Sequence, residues 1–253
     1  MKVAFVGKGG AGKSAIAGTF ARLLGQRGDP VLAIDSDPMP GLAFSLGVES
    51  TDAGIPDEAV EEKPEGEEGP RYRLRAGLSA EQAIEEYAAR APDGVRMLQF
   101  GKLRGHVNAL IRSQFAFRQI VDELPDGRWN LVGDLPGGTR QPYFGWGDYA
   151  DTFLVVVEPT SKSVLAGRRL RNITKRDEGP KKLVAVVNRV RDDGDVARVE
   201  AKLGIEVVGA VPWDEELAEA ERRGQAPVDS APDSPAVRAI ALLVDRLSEG
   251  NAS

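Results

Sequence analysis

The sequence has no cysteine and a single histidine, His106. Disulfides, cysteine-ligated iron–sulfur clusters and thiolate zinc sites are therefore excluded. Aromatic residues make up only 6% of the 253 positions. No apolar run reaches the roughly 18 residues that a membrane-spanning helix needs. Met1 leads straight into an apolar stretch without a signal-peptide pattern, so the expectation is a soluble, cytoplasmic protein with no membrane partner. Positive charge is not in surplus either: 33 basic residues stand against 39 acidic ones, a net charge of −6. That argues against a general nucleic-acid or anionic-membrane binder and leaves only local patches open.

Short apolar or β-branched runs do recur, at 3–7, 31–35, 95–100, 130–134, 153–158, 183–188 and 207–211. Most lack alternation, as strands buried on both faces of a parallel sheet should. Helical patterns fall between them, over 13–26, 79–91, 108–124, 161–176, 194–203, 214–223 and 235–248. Ser79 and Gln82 have the spacing of a capping box at the second of these. Such alternation predicts an α/β fold, a doubly wound, mostly parallel β-sheet flanked by helices. One domain over 1–253 is expected.

Residues 49–69 break the pattern, with nine acids against Lys63 alone and many Pro and Gly. A mobile surface loop is expected there, or a docking site for a basic partner.

The chemistry starts at "GKGGAGKSA", 7–15, where Gly7, Gly12, Lys13 and Ser14 satisfy the phosphate-loop spacing. The segment follows a predicted strand and opens a helix, so backbone N–H groups from Lys8, Gly9, Gly10, Ala11 and Ala15 can converge on phosphates at a helix N-terminus. Lys13 is expected on the β- and γ-phosphates and the Ser14 hydroxyl on Mg²⁺. Two further strands end in acids, Asp35 and Asp37 in "AIDSDP" and Asp134 in "GDLPGG". In phosphoryl transfer one such acid holds Mg²⁺ through water and another orients the attacking water. Asn188 in "VVNRV" and Pro212 in "VPWDEEL" are placed to frame a base, since an amide both donates and accepts toward a purine edge.

Together "GKGGAGKS", "VLAIDSDP", "DLPGG", "VVNRV" and "VPWDEE" resemble the deviant Walker A P-loop ATPases, the family of MinD, ParA, the nitrogenase iron protein and CooC, over about residues 1–225. The wording of 94–103 and 153–167 resembles most the CooC branch, which matures nickel-containing carbon monoxide dehydrogenase. The resemblance implies an ATPase that forms a homodimer when ATP is bound, each subunit's signature lysine crossing to the partner's phosphates. By position that lysine is Lys8. It also implies Asp37 as the residue that activates water, Asp35 and Asp134 near Mg²⁺, Asn188 on adenine, and a protein partner, a metalloenzyme in the CooC case.

The chain departs from that pattern in two places. CooC proteins carry a Cys-x-Cys where this one reads "GKLRGHVNALIRSQF", and Ala15 replaces the usual hydroxyl residue after the Walker serine. His106 lies near the first departure, as a surface or capping residue or as half of a metal pair across a dimer. Tyr143, Phe144, Trp146 and Tyr149 follow "DLPGG" as core packing or as a partner surface. A basic stretch, Lys162, Arg168, Arg169, Arg171, Lys175, Arg176, Lys181 and Lys182, is a solvated helix face or a ParA-like DNA contact.

Overall fold

The computed structural model describes residues 1–37, 41–49, 54–100, 107–138, 145–174 and 182–249, with the side chains of 107–110 outside that description. His106, Tyr143, Phe144, Lys175, Arg176 and Lys181 lie outside the described residues.

Strand β1 (Lys2–Gly7) runs into helix α1 (Lys13–Gly25), then β2 (Val31–Asp35) and the short α2 (Leu42–Leu46). A hairpin of β3 (Val60–Glu62) and β4 (Tyr72–Leu74) precedes α3 (Ala80–Tyr87), β5 (Ala89–Arg90), β6 (Arg96–Gln99) and α4 (Val107–Glu123). Then come β7 (Asn130–Asp134), β8 (Thr152–Val157), α5 (Ser161–Thr174) and β9 (Lys182–Val190). The chain continues through α6 (Gly194–Leu203), β10 (Val207–Pro212), α7 (Glu215–Arg223), α8 (Pro227–Ser230) and α9 (Pro235–Glu249).

Eight strands form one sheet in the order β10–β9–β8–β1–β7–β2–β6–β5. Its pairings are parallel except for β5 on β6. Early crossovers carry the chain from β1 toward β2 and β6, and after β7 it moves to the other side of β1 through β8. The direction of winding thus reverses beside β1, and the carboxyl ends of β1, β2, β7 and β8 open there, where such sheets bind ligands.

The lack of alternation in the strand sequences has its cause in burial on both faces. Val3 and Phe5 pack with Ile16, Phe20 and Leu24 of α1 and Ile240 and Leu243 of α9 on one side. Ala4 and Val6 belong to the other core, with Phe117 and Ile120 of α4, Val164 and Leu170 of α5 and Val199 of α6. Helix α1 is enclosed so completely that even Arg22, 2% exposed, is internal. Its guanidinium is satisfied by Asp93 at 2.7 Å, by both oxygens of Asp229 at 2.9 and 2.6 Å and by the Leu46 carbonyl at 3.0 Å. A charge can be buried only when its donors are paired in this way.

Two expectations differ from the structure in detail. The helix expected over 79–91 begins with the capping box of Ser79 and Gln82 but ends at Tyr87. Ala88 is extended and Ala91 precedes Pro92, where helical backbone is disfavoured, so the chain turns into β5 instead. The described part of the acidic segment carries a strand as well as irregular chain. Val60, Tyr72 and Leu74 are buried against α4, while Arg73 meets Glu61 at 2.9 Å and Arg71 meets Glu62 at 2.8 Å along the hairpin. Its apolar residues alternate with charged ones, which is why composition alone reads as loop. Of the aromatic stretch, Trp146 and Tyr149 pack on Phe117, with ring centroids 5.2 and 5.8 Å apart, and so belong to the core.

Candidate functional site

The loop between β1 and α1 is pinned from three sides. Within it, the Ala11 N–H donates to the Lys8 carbonyl at 3.2 Å. From β9, Asn188 Nδ2 donates to the Ala11 carbonyl at 2.8 Å, while its Oδ1 accepts the Arg189 N–H at 2.9 Å. Gly12 has φ +90°, and a Cβ there would lie 2.3 Å from Asn188 Nδ2. Both the left-handed backbone and the close amide require glycine. From the turn after β7, the Gly138 N–H donates to the Gly7 carbonyl at 3.3 Å.

The two lysines of the loop have opposite environments. Lys13, on the first turn of α1, is buried at 6% exposure. Lys8 is exposed, and the one hydrogen bond its side chain makes among the described residues is a long one, 3.5 Å, to the neighbouring Gly9 carbonyl.

Below the loop, Asp35 and Asp134 are register partners on β2 and β7. Asp35 accepts N–H groups from Asp37 at 3.0 Å and Leu42 at 3.2 Å. The Ser14 hydroxyl donates to Asp134 Oδ2 at 2.5 Å, and Asp134 Oδ1 is buried with no hydrogen-bond partner among the described residues. Burial, with Asp134 as neighbouring charge, pushes Asp35 up to about 7. Burial also pushes Asp134 up to about 6, against the opposing pull of Lys13 and the Ser14 hydrogen bond. Asp37 accepts the Gly137 N–H at 3.3 Å. A methyl group added to Gly137 would come within 3.0 Å of Gly9 Cα, so this turn bears directly on the phosphate loop. The expected site residues Gly7–Ala15, Asp35, Asp37 and Asp134 thus converge at one edge of the sheet.

The donors are all oxygen, one orphaned carboxylate atom included, which suits a hard cation such as Mg²⁺. Among the described residues no cluster of three His, Cys, Asp or Glu could cage a metal by itself. A cation that keeps its waters and shares a substrate's phosphates needs no such cage.

Beside the loop, Asn188 and Pro212 line a crevice with Ile16, Trp213, Leu217 and Glu221, of about 30 Å³, room for a single water. Arg189 lines it too. Its guanidinium reaches Glu158 at 2.8 Å and the Gly10 carbonyl at 3.3 Å, and it lies 6.0 Å from the Trp213 ring centroid. Arg189 has φ +57°, unusual for a side-chain-bearing residue. Sequence reasoning stopped at Asn188 and missed Arg189, Glu158 and Trp213. The adjacent Arg in "VVNRV" and the strand-end Glu in "VVVEP" were the available signals.

Residues 3–228 match the model of the CobQ/CobB/MinD/ParA nucleotide binding domain. The chain belongs to this family. An uncharacterised ATP-binding protein of Methanocaldococcus jannaschii is 32% identical over 238 residues, covering 89% of this chain and 90% of that one. The carbon monoxide dehydrogenase accessory protein CooC of Rhodospirillum rubrum is 28% identical over 247 residues, with 92% and 91% covered. In structure, the septum site-determining protein MinD of Pyrococcus horikoshii, complexed with Mg-ADP, superposes with a TM-score of 0.74 at 18% identity, over 98% of this chain and 96% of that one. The fold is that of MinD and ParA, and the chain is a P-loop protein carrying the nucleotide binding domain of that family.

Proposed function

We propose that this protein is a Mg²⁺-dependent ATPase whose ATP-bound form is a homodimer acting on a protein partner. The observation that carries the dimer is the contrast between Lys13, buried at its own loop, and Lys8, whose side chain is exposed to solvent and makes only a long hydrogen bond to Gly9. Lys13 and the loop N–H groups would hold the β- and γ-phosphates of the bound nucleotide. Lys8 would reach the phosphates held by the other subunit and neutralise charge that grows in the transition state. Asp37, tied to Gly137 of the turn against the loop, would orient the attacking water. Ser14, Asp35 and Asp134 would hold Mg²⁺, the acids through water, and the bound cation would supply charge neutralisation at the phosphates. Asn188 and Pro212 would border the adenine once Arg189 moves aside.

The likeness to CooC supports a metalloenzyme as the partner being matured. Without any cysteine, such a role would rest on the nucleotide switch and not on thiolate-held metal. The basic run of α5 supports a second reading, a ParA-like positioning ATPase on DNA, which ATP-dependent, salt-sensitive retardation of arbitrary duplex would favour. The test of the main reading is the hydrolysis rate as a function of protein concentration. It should rise more steeply than linearly in the wild type and fall to background in Lys8→Ala and Asp37→Ala. A rate per subunit independent of concentration, or unchanged in Lys8→Ala, would refute it. ATP binding with no turnover in the wild type would assign a regulatory binding module instead.

A further inference from the structure

Helices α5 and α6 leave a concave surface between them, of about 400 Å³, outside the nucleotide site. Its apolar part is Val164, Leu165 and Val199, and its cationic part is Arg168, Arg198 and Lys202. Leu165 is 47% exposed, whereas Val164 and Leu170 on the same helix are buried. Helix α5 carries Lys162, Arg168, Arg169 and Arg171 and no acid. Among the described residues, Arg168, Arg169 and Lys202 have no ion-pair partner, while Arg198 is held by Asp192 at 2.9 Å and Asp195 at 2.6 Å. In a chain of net charge −6 this is a local excess of positive charge beside an exposed apolar side chain.

We propose that the α5–α6 groove docks an acidic peptide segment of a partner protein, with a large apolar side chain against Leu165 and carboxylates on Arg168 and Lys202. The charge selects an acidic occupant, and Arg168 can take a carboxylate with two parallel hydrogen bonds. The apolar floor favours a peptide over a duplex, because phosphate contacts gain nothing from covering an exposed leucine. The protein's own acidic segment does not suit the role. Its Glu61, Glu62 and Glu67 are already paired with Arg73 and Arg71. The hairpin also packs on α4 of its own chain.

The groove is connected to the phosphate loop. At the start of α5 the Ser163 hydroxyl accepts the Glu158 N–H at 2.9 Å, and the Glu158 carboxylate holds Arg189, which donates to the Gly10 carbonyl. Docking therefore deepens the partner reading of the ATPase and rests on it for that coupling alone.

The test is fluorescence anisotropy at low ionic strength, with a labelled peptide of two leucines between runs of glutamate, its lysine counterpart and a short DNA duplex. The glutamate peptide is expected to bind saturably and the other two not. The double variant Arg168→Glu, Lys202→Glu should weaken binding by at least about tenfold, and Leu165→Ser should weaken it independently of salt. These side chains are exposed, so melting temperature and ATP affinity should stay at wild-type values and serve as controls for folding. Absence of saturable binding, or binding indifferent to the charge reversal, would overturn the proposal. Duplex binding lost on the same reversal would overturn it too, and would give the surface to nucleic acid. ATP-dependent dimerisation, measured on the same variants, reports the nucleotide switch separately.

Discussion

Asp35 and Asp134 stand directly opposite each other at the carboxyl ends of β2 and β7, both closed off from solvent. Burial leaves both poorly solvated when ionised, and a neighbouring carboxylate adds to this (Asp134 at Asp35, Asp37 at Asp134), so each holds its proton to higher pH than an ordinary aspartate, to about 7 and about 6.

The consequence for stability has a definite sign. Both pKa values are raised on folding, so the stability linked to them is full below the unfolded value of 3.8 and is lost as pH rises through 6 and 7. The ligand-free protein should therefore melt progressively lower from pH 5 to pH 8. A cation bound near the pair removes the repulsion, so stabilisation by Mg²⁺ with nucleotide should grow over the same range. Thermal melts with and without MgCl₂ and ATP at each pH measure both trends. A Mg²⁺–nucleotide shift that is constant with pH would show that the two acids do not sense the cation.

Gly12→Ala should strip the loop of its support from β9. The new methyl would enter the space of Asn188 Nδ2, in a backbone conformation that alanine resists, at a cost of roughly 1–3 kcal/mol. Nucleotide affinity measured with a fluorescent ATP analogue should fall by about tenfold or more, the equivalent of at least about 1.4 kcal/mol. An unchanged affinity would mean that the loop is shaped by the nucleotide alone.

Arg22→Met is expected to behave differently, lowering stability by roughly 1–3 kcal/mol because the Leu46 carbonyl, Asp93 and Asp229 lose their shared partner while the two aspartates keep some contact with water. The loss should appear in denaturant midpoints. ATP affinity below the new melting temperature should stay near that of the wild type, since no atom of this triad belongs to the phosphate loop.

How much of this was legible in the sequence follows from where each feature's cause lies. The strands of the parallel sheet announce themselves because both faces are buried, and the glycine spacing with Lys13 and Ser14 is a local pattern. Asp35 and Asp134 were visible as strand-end acids, but their opposition depends on the pairing of β2 with β7, which no local pattern contains. The hairpin of β3 and β4 was hidden by its acids, because three buried residues, Val60, Tyr72 and Leu74, carry its whole apolar signal. Arg189 was hidden for another reason: its positive φ and its reach to Gly10 come from tertiary contact.

Trp213 offers a direct report on the base crevice. Arg191 lies over its ring at 4.5 Å from the centroid and Arg189 at 6.0 Å, and the crevice that Trp213 and Arg189 line, of about 30 Å³, is too small for a base unless its walls move. ATP should therefore change the tryptophan emission, and Trp213→Phe should abolish most of that change while Trp129 and Trp146 remain. A signal that survives Trp213→Phe would place the base elsewhere.

The central claim is that Lys8 works across a dimer interface and not in its own subunit. The most direct measurement is molar mass by light scattering with ATP and Mg²⁺, in Asp37→Ala and in the double variant Lys8→Ala, Asp37→Ala. The account predicts a stable dimer for Asp37→Ala, and a monomer that still binds ATP for the double variant. A dimer that survives loss of Lys8, or an Asp37→Ala protein that binds ATP and stays monomeric, would contradict it.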